Sequence, residues 1–226
     1  MKIRCVMIKK MNINPEAKRI LCFGDSNTWG YMPGSKHNRY SADLRWTGIL
    51  QGLLGTSYEV IEEGLNSRGI TKGDPRPGKE GRSSIEYIIP CLDSHDPLDY
   101  IVVFLGTNEL KSEFNLSAEG VGENLEMLIR MIIKQPSQFR DIKPQILIVT
   151  PPAVSETTEY ASKGGKYRGA HEKSIELKKI FKKVAEDTSS LFVDIQDQLS
   201  VGEDGVHMLP VGHKKLAEAV RSILVE

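Results

Sequence analysis

Cysteine is scarce in this sequence. Only Cys5, Cys22 and Cys91 occur, an odd set without regular spacing, and such a set does not read as a disulfide framework. Cys22 sits in an apolar run and Cys91 in a helical pattern, where free cysteines behave as small core residues. Charge of one sign is also lacking. Thirty Lys and Arg balance thirty Asp and Glu, mixed along the chain, so nothing favours nucleic acid or an anionic membrane as a partner. No apolar run approaches the length of a membrane span. His-Glu-x-x-His and Cys-x-x-Cys are missing, as are a Gly-x-Gly-x-x-Gly turn after the first strand and a Gly-Lys-Ser/Thr phosphate loop. These absences argue against metal, dinucleotide and nucleotide sites, and no cofactor or metal is expected.

What is present fits one domain. The 226 residues are 39% hydrophobic and 27% charged, ordinary for a globular chain long enough to bury a full core. Near the amino end, Cys5 to Ile8 lie among Lys2, Arg4, Lys9 and Lys10. That apolar stretch is too short for a signal-peptide core, so a cytoplasmic protein is expected. Residues 1–17 read as an amino-terminal extension, with Met7 and Met11 as equally acceptable starts, and 18–226 as the domain.

Apolar runs predict strands at Ile20–Phe23, Tyr58–Glu62, Leu98–Leu105, Gln145–Thr150 and Ser190–Ile195. The third has no polar alternation and should be central, covered on both faces. Helical spacing predicts helices over Asp43–Leu54, from a cap at Ser83 or Ser84 to His95, from a cap at Ser117 to Lys134, over Glu172–Ala185 with Ile175, Ile180 and Val184 as its apolar face, and over Val211–Leu224. Long turn-rich loops span Asn66–Gly81 and Ala153–Gly169. Strands alternating with helices imply a parallel sheet with right-handed crossovers. The lysines around Lys178 and Lys182 read as a solvated face.

The first strand breaks at Gly24 into Asp25-Ser26-Asn27, which puts a hydroxyl at the carboxyl end of a strand, where open α/β sheets bind ligands. Taken alone, Ser26 reads as a helix cap or as a nucleophile. Asp204-Gly-Val-His207, on a Gly-rich turn before the last helix, adds a carboxylate and an imidazole, the partners a serine needs to become reactive. His213 reads as a surface residue of the last helix. His37, His95 and His171 have no matching carboxylate spacing, and Asp194 and Asp197 read as turn and cap residues.

Gly24-Asp-Ser-Asn27, Glu62-Glu-Gly-Leu-Asn-Ser67, Gly106-Thr-Asn-Glu109 and Asp204-Gly-Val-His207 come in the order of the four blocks of the SGNH, or GDSL, hydrolases. The sequence resembles that family from about Lys18 to its carboxyl end, and most closely its bacterial arylesterase and acyltransferase branch. The resemblance implies a three-layer α/β/α fold with a five-stranded parallel sheet, flavodoxin-like. It also implies a serine esterase acting on short acyl esters. Ser26 would be the nucleophile, His207 the base and Asp204 its partner, with Asn108 and the backbone N–H groups of Ser26 and Ser67 as oxyanion donors. Ser67 stands where most members carry glycine, and Glu109 where they commonly carry Asp, a change expected to be structural. Trp29, Tyr31 and Trp46 would either wall a substrate pocket or pack the core, and Gly64 is the candidate for a tight turn beside substrate. Arg68, Lys72, Arg76 and Arg82 are expected on a solvated loop face. The expected partners are a small ester or an acetylated sugar, and a second copy of the chain in a homo-oligomer. An O-acetyl esterase of acetylated oligosaccharides and a non-catalytic binding module of the same fold are the rival readings.

Overall fold

Five strands carry the apolar runs. In the computed structural model, which describes residues 12–141, 143–162 and 165–225, these are β1 (Lys18–Gly24), β2 (Tyr58–Gly64), β3 (Tyr100–Phe104), β4 (Gln145–Val149) and β5 (Leu191–Val193). All neighbours pair in parallel, in the order β2-β1-β3-β4-β5. Of the expected amino-terminal extension, residues 1–11 lie outside the described residues. Asn12 and Asn14 are tied to the start of β2, donating side-chain N–H groups to the carbonyls of Thr56 and Tyr58.

The helices are α1 (Ser26–Trp29), α2 (Trp46–Leu54), α3 (Ser84–His95), α4 (Ala118–Lys134), α5 (Ala170–Asp187) and α6 (Pro210–Leu224). Leu21, Phe23, Ile101 and Val103 face a core built by α3, α4 and α5, while Ile20, Cys22, Val102 and Phe104 face one built by α2 and α6. Burial on both faces explains why β3 shows no alternation. The three-layer, flavodoxin-like expectation is borne out. Among the described residues no helix is long and apolar enough to cross a membrane.

Three local expectations need correction. Helix α2 begins at Trp46, not Asp43; its buried stripe is Trp46, Thr47, Leu50 and Leu54, while Leu44, before the helix, and Leu53, on its outer face, are exposed although both fit the apolar helical spacing of 43–54. In α5 the buried face is Leu177, Phe181 and Val184, and Ile175 faces out. Ser83 occupies the cap position of α3 without a capping bond; its hydroxyl donates instead to the Thr71 carbonyl at 3.0 Å, holding the long loop in place. Ser117 does cap α4, accepting from the Gly120 N–H.

In this strand order the chain reverses direction across the sheet between β1 and β3, which opens a crevice at their carboxyl ends. The segments that leave those two strands carry Ser26 and Asn108.

Candidate active site

The nucleophile candidate rides on one helical turn. Asp25, not Ser26, caps α1, its carboxylate accepting from the Asn27 N–H at 2.8 Å. Ser26 is therefore the first helical residue, with its hydroxyl free to point into the crevice. Close approach of backbone sets its position. Gly24 and Gly64 pair across β1 and β2. A Cβ on Gly64 would stand 2.3 Å from the Trp29 nitrogen, and one on Gly24 would stand 2.8 Å from the Phe104 carbonyl oxygen. Gly64 thus ends a strand under α1 rather than forming a turn beside substrate.

The turn at 204–208 reaches Ser26 from the other end of the chain. Asn27 staples the two together, donating to the Val206 carbonyl at 3.2 Å and accepting from the Met208 N–H at 2.9 Å. His207 Nε2 lies 2.9 Å from Ser26 Oγ, and His207 Nδ1 lies 2.7 Å from Asp204 Oδ2. Asp204 Oδ1 accepts from the N–H groups of Val206 and His207. Burial raises the Asp204 carboxyl, but the hydrogen bonds and charge of His207 more than offset it and leave it below the usual carboxylate range. An ionised Asp204 only accepts, so Nδ1 carries the proton and Nε2 is left to accept from the serine hydroxyl. The Tyr31 ring stacks on His207 at 4.4 Å, which fixes the plane of the imidazole.

On the opposite side of Ser26, Asn108 is buried and its amide donates to Asp25 Oδ2 at 3.2 Å and to the Arg68 carbonyl at 3.0 Å. Ser67 sits in the left-handed region, with φ of 64°, the backbone angle that glycine adopts without cost. Its hydroxyl accepts from Arg76 Nη2 at 3.2 Å. Beneath these groups lie two buried carboxylates. Burial pushes Asp25 up to about 6, against the hydrogen bond from Asn27 and the charges of His207, Lys111 and Arg68. Burial pushes Glu109 up to about 7; the Ile70 N–H bonded to it opposes this and Asp25 adds to it.

Ser26, Ser67, Asn108, Asp204 and His207 all line one cavity of about 540 Å³, within the usual range for small-molecule sites. Trp29, Trp46 and Gly64 do not. Trp46 is fully buried between α2 and the sheet, edge-on to Phe104, and Trp29 lies under the Arg39 guanidinium. Of the three aromatics, Tyr31 alone lines the cavity. Two further expectations are corrected. Arg68 is not on a solvated face: it is 2% exposed, stacks over Phe23 at 4.1 Å and donates to the Gly24 and Glu63 carbonyls. His213 is fully buried beside Tyr40, accepts from the Trp46 N–H, and is drawn down to about 4 by burial, with Arg45 and His207 adding. Asp194 is the turn residue expected, accepting from the Gln196 N–H.

Among the described residues Glu63, Cys91 and His95 bring three potential metal-ligating atoms within 4.8 Å of one another. Glu63 is already paired there with Arg68 and His95, and burial first, then the Glu63 charge, pushes the Cys91 thiol up to about 12.

The sequence matches the GDSL-like lipase/acylhydrolase family over residues 22–215. The chain belongs to this family. The expectation of a carboxylic ester hydrolase is thereby borne out. Among solved structures, this GDSL-family chain is similar to Est24, a carbohydrate acetylesterase from Sinorhizobium meliloti (31% identity, TM-score 0.85, covering 92% of this chain and 98% of that one). It is also similar to an aryl esterase of M. smegmatis (33% identity, TM-score 0.82, covering 91% and 99%). A lipase/acylhydrolase from Enterococcus faecalis shares the fold at 20% identity, with a TM-score of 0.62 and coverage of 91% and 95%. None of the curated proteins matches the sequence.

Residue-by-residue reading of the GDSL-family blocks misses the roles of Asn27 and Glu109. Asn27 stands inside the first block, and its signal is that position. Glu109 gives no sign in sequence that its carboxyl lies under the site.

Proposed function

We propose that this hydrolase is a serine esterase that releases short acyl groups from small esters. Ser26 Oγ attacks the ester carbonyl while His207 Nε2 takes its proton, and Asp204 stabilises the imidazolium that forms. The backbone N–H groups of Ser26 and Ser67, with Asn108 Nδ2, receive the developing oxyanion. For Asn108 this means that one amide hydrogen turns from Asp25 or from the Arg68 carbonyl towards the cavity. His207 then gives its proton to the leaving alcohol, and water or a second alcohol, activated by the same base, removes the acyl group. Residues 18–226 form the catalytic domain, and residues 1–17 an extension to it.

The observation that carries this reading is the unbroken line of hydrogen bonds from Ser26 through His207 to Asp204. The same line argues against a non-catalytic binding module. Hydrolysis of p-nitrophenyl acetate by the wild type, and its loss by a factor of roughly 10³ or more in folded Ser26→Ala, is the test. Turnover that survives in the alanine variant would reject Ser26 as the nucleophile.

A second reading is favoured by the similarity to a carbohydrate acetylesterase: the alcohol is an O-acetylated sugar. Acetate release from acetylated xylan oligosaccharides, compared with release from the aryl ester, separates the two. The reading also includes a cytoplasmic location and a homo-oligomer in which loops 66–81 and 153–169 meet a neighbour near the site. Light scattering that finds only the 25.2 kDa monomer removes the oligomer.

A further inference from the structure

The cavity beside Ser26 holds more positive charge than acyl transfer uses. Arg76, Lys79, Lys111 and Lys166 line it, against Glu203 and Asp204, and Asp204 is committed to His207. Asp74, buried just behind, pairs with both Arg76 and Lys111, and the charge of Glu113 acts on the same two cations. Among the described residues neither Lys79 nor Lys166 forms an ion pair. Both are half-buried, one on each of the two long loops, and both line the cavity. Asp74, Glu203 and the ionised Asp204 offset three of these four cations, and among the described residues Lys79 and Lys166 are the two with no carboxylate within ion-pair distance.

The crowding is physical as well as formal. Burial lowers the Lys111 ammonium most; Asp74 and Glu113 oppose this, while Lys166 and Arg76 add like-charge repulsion. The chain as a whole carries no net charge, so these cations are a local concentration. Lys79 and Lys166 line the cavity without carboxylate partners, so their charges are open to an anion that enters it. Arg76 adds direction, since its guanidinium touches both Asp74 and the Ser67 hydroxyl, placing positive charge next to a proposed oxyanion donor.

We propose that the natural substrate is an anionic ester: its alcohol or acyl part carries a carboxylate or a phosphate, held by Lys79, Lys166 and Arg76 while the ester carbonyl lies at Ser26. This rests on the esterase reading above and names its substrate class.

The test is a matched series of aryl acetates that differ only in the para group: 4-acetoxybenzamide, 4-acetoxybenzoate and 4-acetoxyphenyl phosphate. In about 10 mM salt, where charges act over about 30 Å, at least one anionic acetate should exceed the amide in kcat/KM by roughly tenfold or more, and in about 1 M salt the advantage should collapse. The member that is favoured tells carboxylate from phosphate. In the Lys79→Gln, Lys166→Gln double variant the anion-to-amide ratio should fall at least about fivefold; each ratio is taken within one preparation, so a loss of folded protein cancels. A ratio of one or less for both anions, with the amide turned over, overturns the proposal. A ratio unchanged in the double variant overturns the assignment to these lysines. Failure to hydrolyse any of the three acetates would reject the esterase reading instead.

Discussion

At the scale of single residues, the side chains that meet in the crevice were legible because each lies in a short block whose order along the chain is informative. Their surroundings were not. Arg68 and His213 were misplaced because residue type predicts exposure only on average, and each is held by a partner far away in sequence, Phe23 and Tyr40 respectively; Trp46, open between pocket and core, is settled by its contact with Phe104. Two expectations belong here. Asn108→Ala should lower kcat by roughly a hundred- to a thousandfold with a small change in KM, as loss of one oxyanion donor does. Ser67→Gly keeps the N–H and relieves a left-handed backbone angle that costs a non-glycine residue about 1 kcal/mol. It should therefore stay within about tenfold of wild-type kcat and unfold at a slightly higher denaturant concentration. Equal damage from the two substitutions would mean that the Ser67 side chain takes part. Glu109 gives the pH prediction. Its carboxyl titrates near 7 in the folded chain, against 4.5 ordinarily. The folded state thus binds more protons than the unfolded state between those values, and stability falls as pH rises through that window. Glu109→Gln keeps an oxygen for the Ile70 N–H and removes the buried charge. Its stability relative to wild type should improve from pH 5 to pH 8 by up to about 3 kcal/mol. Urea midpoints at the two pH values measure this, and an unchanged difference contradicts it.

At the scale of elements, all five strands and the helices from α2 to α6 were readable from apolar period and caps, with ends off by a few residues. The misses have a common cause. Leu44, Leu53 and Ile175 are apolar residues at plausible helical spacing, and only the packed neighbour decides which of two adjacent stripes is buried. Helix α1 is too short to leave a periodic signal at all; capping by Asp25 and contact with β2 define it. That contact is testable. A Cβ on Gly64 meets backbone atoms of Thr28 and Trp29, which cannot rotate away as a side chain would. Gly64→Ala should destabilise by about 1–3 kcal/mol, as overpacking does. In the folded fraction it should also lower kcat, because a displaced α1 carries Ser26 off line with His207. A variant of normal stability and normal kcat would show that α1 can shift freely.

At the scale of the whole molecule, the sequence pattern pointed to a parallel α/β sheet but did not state its order. The order matters, because it puts the ends of β1 and β3 side by side. The hydrogen bond between Ser26 and His207 joins residues 181 apart in sequence, and Asn27 clamps the same two segments together. Parallel pairing of distant segments forms slowly, and this clamp closes only after the sheet between its halves exists. The esterase signal should therefore be the last to return after dilution from urea, behind far-UV circular dichroism. Asn27→Ala should widen that lag without slowing the dichroism phase, and simultaneous recovery of both signals would refute the sequence of events. Activity in this protein then works as a completion mark: a chain that hydrolyses ester has already joined its two ends.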